Sequence, residues 1–216
     1  TKRVSENVEK EAATTVGCSM VYHYYTPQKR RSSYMLISDF IRGVTVEFEV
    51  TPGLFSYKKI DDGTRLLLEY AEIPDEGAVL DLGCGYGAIG IVLAKVNPKL
   101  RVYMVDINEE AVRLAKRNLQ RNNIGEDRAI VLQGNLYEPV EKIMFKAIYS
   151  NPPLSAGFET IEKIIREAPN HLERTGTLQI VVRKGIEKTY KLMTEVFAHT
   201  ETLATHKGYR VLLSRK

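Results

Sequence analysis

The sequence has little cysteine, no long apolar run and no internal repeat, and each absence narrows what the chain can be. Cysteine occurs only at Cys18 and Cys84, at no metal-ligand spacing. A disulfide framework is therefore not expected, and a reducing, cytoplasmic setting is the default. No apolar stretch reaches the roughly 18 residues that a membrane span needs, so no membrane partner is expected. The residues Thr1–Lys10 are polar and charged, which predicts no secretory signal. His23, His171, His199 and His206 show no pairing that suggests a metal site.

What is present suits a compact globular chain: 216 residues, 44% hydrophobic and 27% charged. Residues 1–60 read as an N-terminal tail with a β-hairpin appendage, and residues 61–216 as the main domain; nothing demands more than a monomer. The net charge is only +4, but it is uneven: +3 over residues 1–60, −4 over 61–182 and +5 over 183–216. Basic ends around an acidic centre suit a nucleic-acid partner, because phosphate contacts dominate such binding. Solvated charged faces would give the same pattern.

Patterning supplies the elements. Tyr34–Phe40 and Val44–Val50 alternate apolar and polar residues around Arg42-Gly43, which predicts a hairpin. A helix is expected from Asp62, with Leu66, Leu67, Tyr70 and Ala71 on its apolar face. From Gly77 onward strands alternate with helices. Strands are expected at Ala78–Leu82, Leu100–Val105, Ala129–Leu132, Met144–Tyr149 and Thr177–Val182. Helices are expected at Ala88–Val96, Asn108–Asn122, Ile161–Leu172 and Glu187–Phe197, with Thr200–Thr205 and Tyr209–Leu213 as a closing pair. Such alternation implies parallel βαβ units and a doubly wound α/β sheet. Ligands of these sheets sit beyond the carboxyl ends of the strands, where Asp81, Asp106, Asn135 and Asn151 fall.

Three motifs carry chemistry. The first is Asp81-Leu82-Gly83-Cys84-Gly85-Tyr86-Gly87. Its glycines allow a tight turn and close backbone approach to a ligand. A dinucleotide site or a plain turn could use glycines too. The spacing departs from the dinucleotide fingerprint, however, and a carboxylate beside the turn gains nothing against a pyrophosphate. Asp81 would instead suit the cationic ammonium of S-adenosylmethionine, with Cys84 a small filler rather than a nucleophile. The second motif is Asp106, placed to accept from ribose hydroxyls; a helix N-cap is the plainer role, but Asn108 can fill that one. The third is Ser150-Asn151-Pro152-Pro153-Leu154. An amine conjugated to a base or a carbonyl is a poor nucleophile, because its lone pair is delocalised. The Asn151 side-chain oxygen and the Pro152 carbonyl can each accept one of its N–H bonds and aim the lone pair at a sulfonium methyl. Pro152 and Pro153 stiffen the loop and remove competing donors. A proline-terminated strand is the alternative.

With these residues in view, roughly residues 21–216 resemble class I methyltransferases of the small-domain type, particularly ribosomal RNA small-subunit guanine-N2 methyltransferases and their archaeal single-domain relatives. The resemblance rests on His23-Tyr24-Tyr25, Gly53-Leu54-Phe55-Ser56, Asp61-x-Gly63-Thr64-x-Leu66-Leu67, the glycine turn, Asn151-Pro152-Pro153 and Lys207-Gly208-Tyr209-Arg210-Val211-Leu212. It implies a seven-stranded, mostly parallel, Rossmann-like sheet with a reversed last strand. It also implies a donor pocket lined by Phe55, Ser56, Thr64, Asp106, Ile107, Asn135 and Leu136 together with the glycine turn, and S-adenosylhomocysteine as product. Two positions depart from the family pattern. Leu154 stands where many relatives place an aromatic residue that stacks on the target base. Asn135 stands where relatives carry an acid that accepts from the adenine amine, a role open to its carbonyl oxygen.

The resemblance makes RNA, ribosomal or transfer, the expected partner. Lys29-Arg30-Arg31 beside Tyr24 and Tyr25 is a candidate contact patch, as are Lys58-Lys59, Lys207 and Arg210; a solvated loop gives the same run. The expected reaction is methylation of guanine N2. Adenine N6 and the N5 amide of a protein glutamine are alternatives, because Asn-Pro-Pro chemistry serves all three. A non-catalytic RNA-binding module with this fold is a further alternative, against which the intact Asn151 and glycine turn argue.

Overall fold

The computed structural model describes residues 34–51, 59–153 and 157–216. Its first elements are the expected hairpin. β1 (Met35–Ile41) pairs antiparallel with β2 (Val44–Val50), Met35 opposite Val50 and Ile41 opposite Val44. Arg42 and Gly43 turn the chain with φ of +49° and +81°, the left-handed pair that a tight hairpin requires.

The rest is a seven-stranded sheet with helices on both faces. In chain order its elements are α1 (Asp62–Tyr70), β3 (Gly77–Leu82), α2 (Ala88–Val96), β4 (Leu100–Asp106), α3 (Glu109–Arg121), β5 (Ala129–Gln133), β6 (Phe145–Ser150), α4 (Gly157–His171), β7 (Leu172–Val182), α5 (Ile186–Phe197), β8 (Thr200–His206) and β9 (Tyr209–Arg215). The strand order is β5-β4-β3-β6-β7-β9-β8. β3 through β7 run parallel, whereas β9 is antiparallel to both of its neighbours, which is the reversed last strand. The chain winds outward from β3 in one direction and then restarts at β6 on its other side. That reversal opens a crevice at the carboxyl ends of β3 and β6.

Each face of the sheet has its own core. Val79 points to the face covered by α1, α2, α3 and the hairpin, and Leu80 and Leu82 point to the face covered by α4 and α5. α2 is buried from Ala88 to Ala94, so its apolar residues form no stripe. α3 is amphipathic and buries Ala111, Leu114, Ala115 and Leu119 as the pattern predicts.

The hairpin is fastened to α3 by two side-chain amides one turn apart. Asn118 Oδ1 accepts from Glu49 N (2.7 Å) and its Nδ2 donates to Glu49 O (3.0 Å). Asn122 repeats the pattern on Glu47, at 3.1 and 2.7 Å. The exposed backbone edge of β2 is thus paired by side chains rather than by another strand, which removes an open sheet edge. Asn118 Nδ2 also donates to Tyr86 O in the glycine turn (2.9 Å), so one residue links hairpin, helix and site.

Two expectations change. α4 starts at Gly157 and ends at His171, and Leu172 opens β7 rather than closing the helix. Pro169 lies inside the last turn of α4 and the chain passes from His171 to Leu172 with no turn residue between, so no local signal marks the boundary. On α1, Leu68 is buried in place of Tyr70, which is 54% exposed. Among the described residues no helix is long and apolar enough to cross a membrane.

Candidate active site

The glycine turn follows β3 directly. Gly83 and Gly85 adopt φ of +76° and +56°, a region L-residues rarely enter. A Cβ built on either meets nothing within 4 Å, so both face open space. That space is a cavity of about 350 Å³ beyond the carboxyl ends of β3 to β6, within the usual size range of small-molecule sites. Gly83, Gly85, Asp106, Ile107, Asn135, Leu136, Pro152 and Pro153 all line it. A narrower pocket on the other side of the turn is lined by Asp61, Thr64, Gly83, Cys84, Gly85 and Asn151. The two spaces share Gly83 and Gly85.

Asp106 is not the free carboxylate that the sequence suggested. Its Oδ2 accepts from Gly85 N (2.8 Å) and its Oδ1 from Asn108 N (2.9 Å). The Asn108 side chain caps α3 by accepting from Glu110 N (2.9 Å), as its sequence position implies. Asp106 therefore sets the shape of the glycine turn, and each of its oxygens keeps a lone pair for a further donor. Asn135 donates from Nδ2 to Glu138 Oε1 (3.2 Å), which leaves its carbonyl oxygen as the free end.

Asp81 departs further from expectation. It lies on the α2 side of β3, is fully buried, and lines neither space. Its Oδ2 accepts from Gly90 N (2.8 Å). Gly90 is required there, because a Cβ would sit 2.1 Å from Met104 Sδ. Asp81 Oδ1 is buried and has no hydrogen-bond partner among the described residues. Burial pushes the carboxyl up to about 7, the Gly90 N–H pulls the other way, and the charge of Asp106 adds a smaller rise. Gly87 also lines neither space; it is the N-cap of α2, at φ +95°. Burial raises the Cys84 thiol well above its ordinary range, which fits a filler and not a nucleophile.

Asn151, at the end of β6, is held by residues distant in sequence. Its Nδ2 donates to Thr64 Oγ1 (2.8 Å) and to Asp61 Oδ1 (3.1 Å). The same Asp61 oxygen caps α1 by accepting from Gly63 N and Thr64 N, each at 3.0 Å. The amide orientation follows from these partners: a flipped Asn151 would set its carbonyl oxygen against a carboxylate. Oδ1 is thereby turned away and has no partner among the described residues. Behind it, Ser150 Oγ donates to Leu82 O (2.8 Å) and ties β6 to β3.

Sequence reasoning named Thr64 only as a pocket wall and gave Asp61 no role at the site. The signal for both was the capping pattern at the start of α1, which reads as local structure until the fold brings it to β6. Ser150, Asn108, Thr160 and Ile164 also line the larger space and were not foreseen. Tyr24, Lys29, Arg30, Arg31, Phe55, Ser56 and Leu154 lie outside the described residues. Among the described residues, no group of three or more His, Cys, Asp or Glu is placed to hold a metal ion.

Comparison with known proteins follows this geometry. The family described as methyltransferase small domain matches residues 45–213. The uncharacterised Bacillus subtilis protein YbxB is 33% identical over 202 residues, covering 91% of this chain and 100% of that protein. A ribosomal RNA small subunit methyltransferase C from Aeromonas hydrophila is 38% identical over 169 residues, covering 76% of this chain and 47% of its own length. Among solved structures, the T. thermophilus 16S rRNA N2 methyltransferase in complex with AdoMet and guanosine superposes with a TM-score of 0.75 at 28% identity, over 85% of this chain and 50% of that one. The chain thus spans about half the length of these ribosomal RNA methyltransferases.

Proposed function

This chain belongs to the methyltransferase small domain family and uses S-adenosylmethionine; from that premise we propose that it methylates an exocyclic amine of an RNA base, N2 of a guanine in ribosomal RNA. The observation that carries this reading is Asn151, which lines the narrower pocket, whose amide nitrogen is held by Asp61 and Thr64 and whose oxygen has no partner among the described residues. The relatives supply the substrate: ribosomal RNA for the methyltransferase C proteins, and bound guanosine for the T. thermophilus structure.

The residues fit the donor. Gly83 and Gly85 present bare backbone where a side chain would fill the space. Asp106, Ile107, Asn135 and Leu136 would hold the nucleoside end in the larger cavity, and Thr64, Cys84 and Asn151 surround the narrower one. When bound, S-adenosylmethionine supplies an electrophilic methyl group on a sulfonium and leaves as S-adenosylhomocysteine.

The chain's own contribution is positioning. Asn151 Oδ1 accepts one N–H of the target amine and the Pro152 carbonyl accepts the other. The nitrogen is drawn toward a pyramidal shape with its lone pair facing the donor. Both acceptors strengthen as positive charge develops on that nitrogen, and Asp61 and Thr64 hold Asn151 so that no reorganisation is needed. The surplus proton becomes acidic once the nitrogen is methylated and passes to solvent, so no strong base is required.

The test is transfer of radiolabelled methyl from S-adenosylmethionine to unmodified small-subunit ribosomal RNA, followed by nucleoside analysis. Label in N2-methylguanosine is expected. Label in N6-methyladenosine, or only in a protein glutamine, would replace this reading by one of the alternatives.

A further inference from the structure

A third space adjoins the Asn-Pro-Pro turn. It measures about 140 Å³ and is lined by Pro152 and Pro153, by Phe158 and Ile161 on α4, and by Val182, Arg183, Lys184 and Gly185 at the β7–α5 junction. Pro152 and Pro153 also line the large donor cavity, so the turn that presents Asn151 is the wall between the two. The volume is that of a ring: a dry cavity of roughly 150 Å³ in another protein takes up benzene. Among the described residues its walls are apolar apart from two exposed cations, and no acidic side chain lines it.

We propose that this space receives the target base, with the ring of Phe158 as its stacking platform and with Arg183 and Lys184 holding the adjoining phosphates. The inference rests on the RNA-base reading above and names a surface for it. Three observations favour that occupant. Among the described residues the space shares Pro152 and Pro153 with the donor cavity, and Pro152 follows Asn151 directly in the chain. Phe158 is half-buried, with its ring edge 3.9 Å from where a Cβ at Gly185 would sit and Lys188 Nζ 3.7 Å from its ring centroid. Lys188 is not among the described residues that line the space; its ammonium covers one face of the ring, and the base would stack on the other. Finally, the nearby carboxylate of Glu187 is engaged by Arg210 at 2.9 Å, and Arg183 lies over the Tyr209 ring, 5.3 Å from its centroid. The rim is therefore positive, as a polyanionic strand requires. Aromatic stacking is tolerant of base identity and supplies a large share of binding in single-stranded sites. Phe158 is a positioning residue here: it fixes the plane of the base, and Asn151 and Pro152 engage the amine.

The chain contains no tryptophan, so Phe158→Trp would install a single fluorophore in the space. The probe is a short single-stranded ribo-oligonucleotide carrying one guanine among uridines. Saturable quenching of Trp fluorescence is expected, weakening as salt rises. In parallel, Phe158→Leu should raise KM for RNA roughly tenfold to a hundredfold, with donor affinity by calorimetry and the circular dichroism spectrum unchanged, and Phe158→Tyr should restore it. Arg183→Ala and Lys184→Ala should raise KM and flatten its salt dependence. Absence of quenching with donor binding intact, or a Phe158→Leu enzyme as efficient as wild type, would overturn the base pocket. The pocket and the reaction can fail separately. Quenching without label in RNA from the wild-type enzyme would keep the pocket and remove the proposed reaction. Labelled RNA with a silent Trp and an unimpaired Phe158→Leu enzyme would keep the reaction and remove the pocket.

Discussion

The two walls of the cleft are built in opposite ways. On the wall formed by β3, β4 and β5, the contacts join neighbouring strand ends and their donors are backbone: Gly85 N and Asn108 N on Asp106, and Gly134 N on Asp106 O at 3.1 Å. On the wall formed by β6, the deciding contacts come from side chains 87 and 90 residues away, Thr64 and Asp61 on Asn151. On the first wall backbone donors converge on one residue, Asp106. On the second the partners that hold Asn151 are themselves side chains. The first is suited to holding a donor common to many reactions, and the second to fixing one amine in line for transfer.

That contrast breaks most readily at Asn151. Asn151→Ala removes the acceptor itself and should lower the rate of methyl transfer roughly 10²- to 10³-fold, the scale seen when one preorganised group is lost from an active site. Donor affinity, measured by calorimetry, should change little. The opposite substitution sharpens the comparison. Asp106→Ala should weaken donor binding roughly tenfold to a hundredfold, since hydrogen bonds to charged groups are worth about 1.5–3 kcal/mol, while the transfer rate at saturating donor stays within a few-fold of wild type.

A smaller effect separates Asp106 from Asp81, its neighbour at the strand ends. Asp81 has its carboxyl raised from 3.8 to about 7. Between those values the native chain holds a proton that the unfolded chain has lost, so stability falls as pH rises through that window. The slope is at most about 1.4 kcal/mol per pH unit. Denaturant unfolding at pH 5, 6 and 7 should show it, and Asp81→Asn, neutral throughout, should flatten it. An unchanged slope in the variant would assign the pH dependence elsewhere.

The same contrast explains what could be read from the sequence. The turn after β3 and the helix α2 were legible to the residue, because glycine spacing and the Asn97-Pro98 stop are local signals. The alternation of strands and helices foretold a parallel sheet for the same reason. The reversal of β9 came from family resemblance, since nothing in Tyr209–Leu213 marks its direction. Asp81 was assigned to a ligand because a carboxylate beside a glycine turn looks available. Its burial depends on Gly90 and Met104, which only packing brings to it. The amide clasps of Asn118 and Asn122 on β2 leave no periodic trace, since two asparagines at helical spacing read as a polar face. Asp61 appeared only within the family motif before α1, and its partner Asn151 lies 90 residues away. Phe158 sits four residues beyond Leu154, the position where stacking was expected, so a search confined to the motif passes it by.

The most direct test of the account is a double-mutant cycle on the β6 wall, measured as single-turnover methyl transfer to unmodified small-subunit RNA for wild type, Asp61→Ala, Asn151→Ala and the pair. If Asp61 acts by holding Asn151, Asp61→Ala slows transfer at least roughly tenfold, and the double variant is no slower than Asn151→Ala alone. The loss of the α1 cap costs only about 1 kcal/mol of stability and leaves the chain folded. Losses that simply multiply in the double variant, or an Asp61→Ala enzyme with wild-type rate, would contradict the claim that a side-chain hub aims the acceptor.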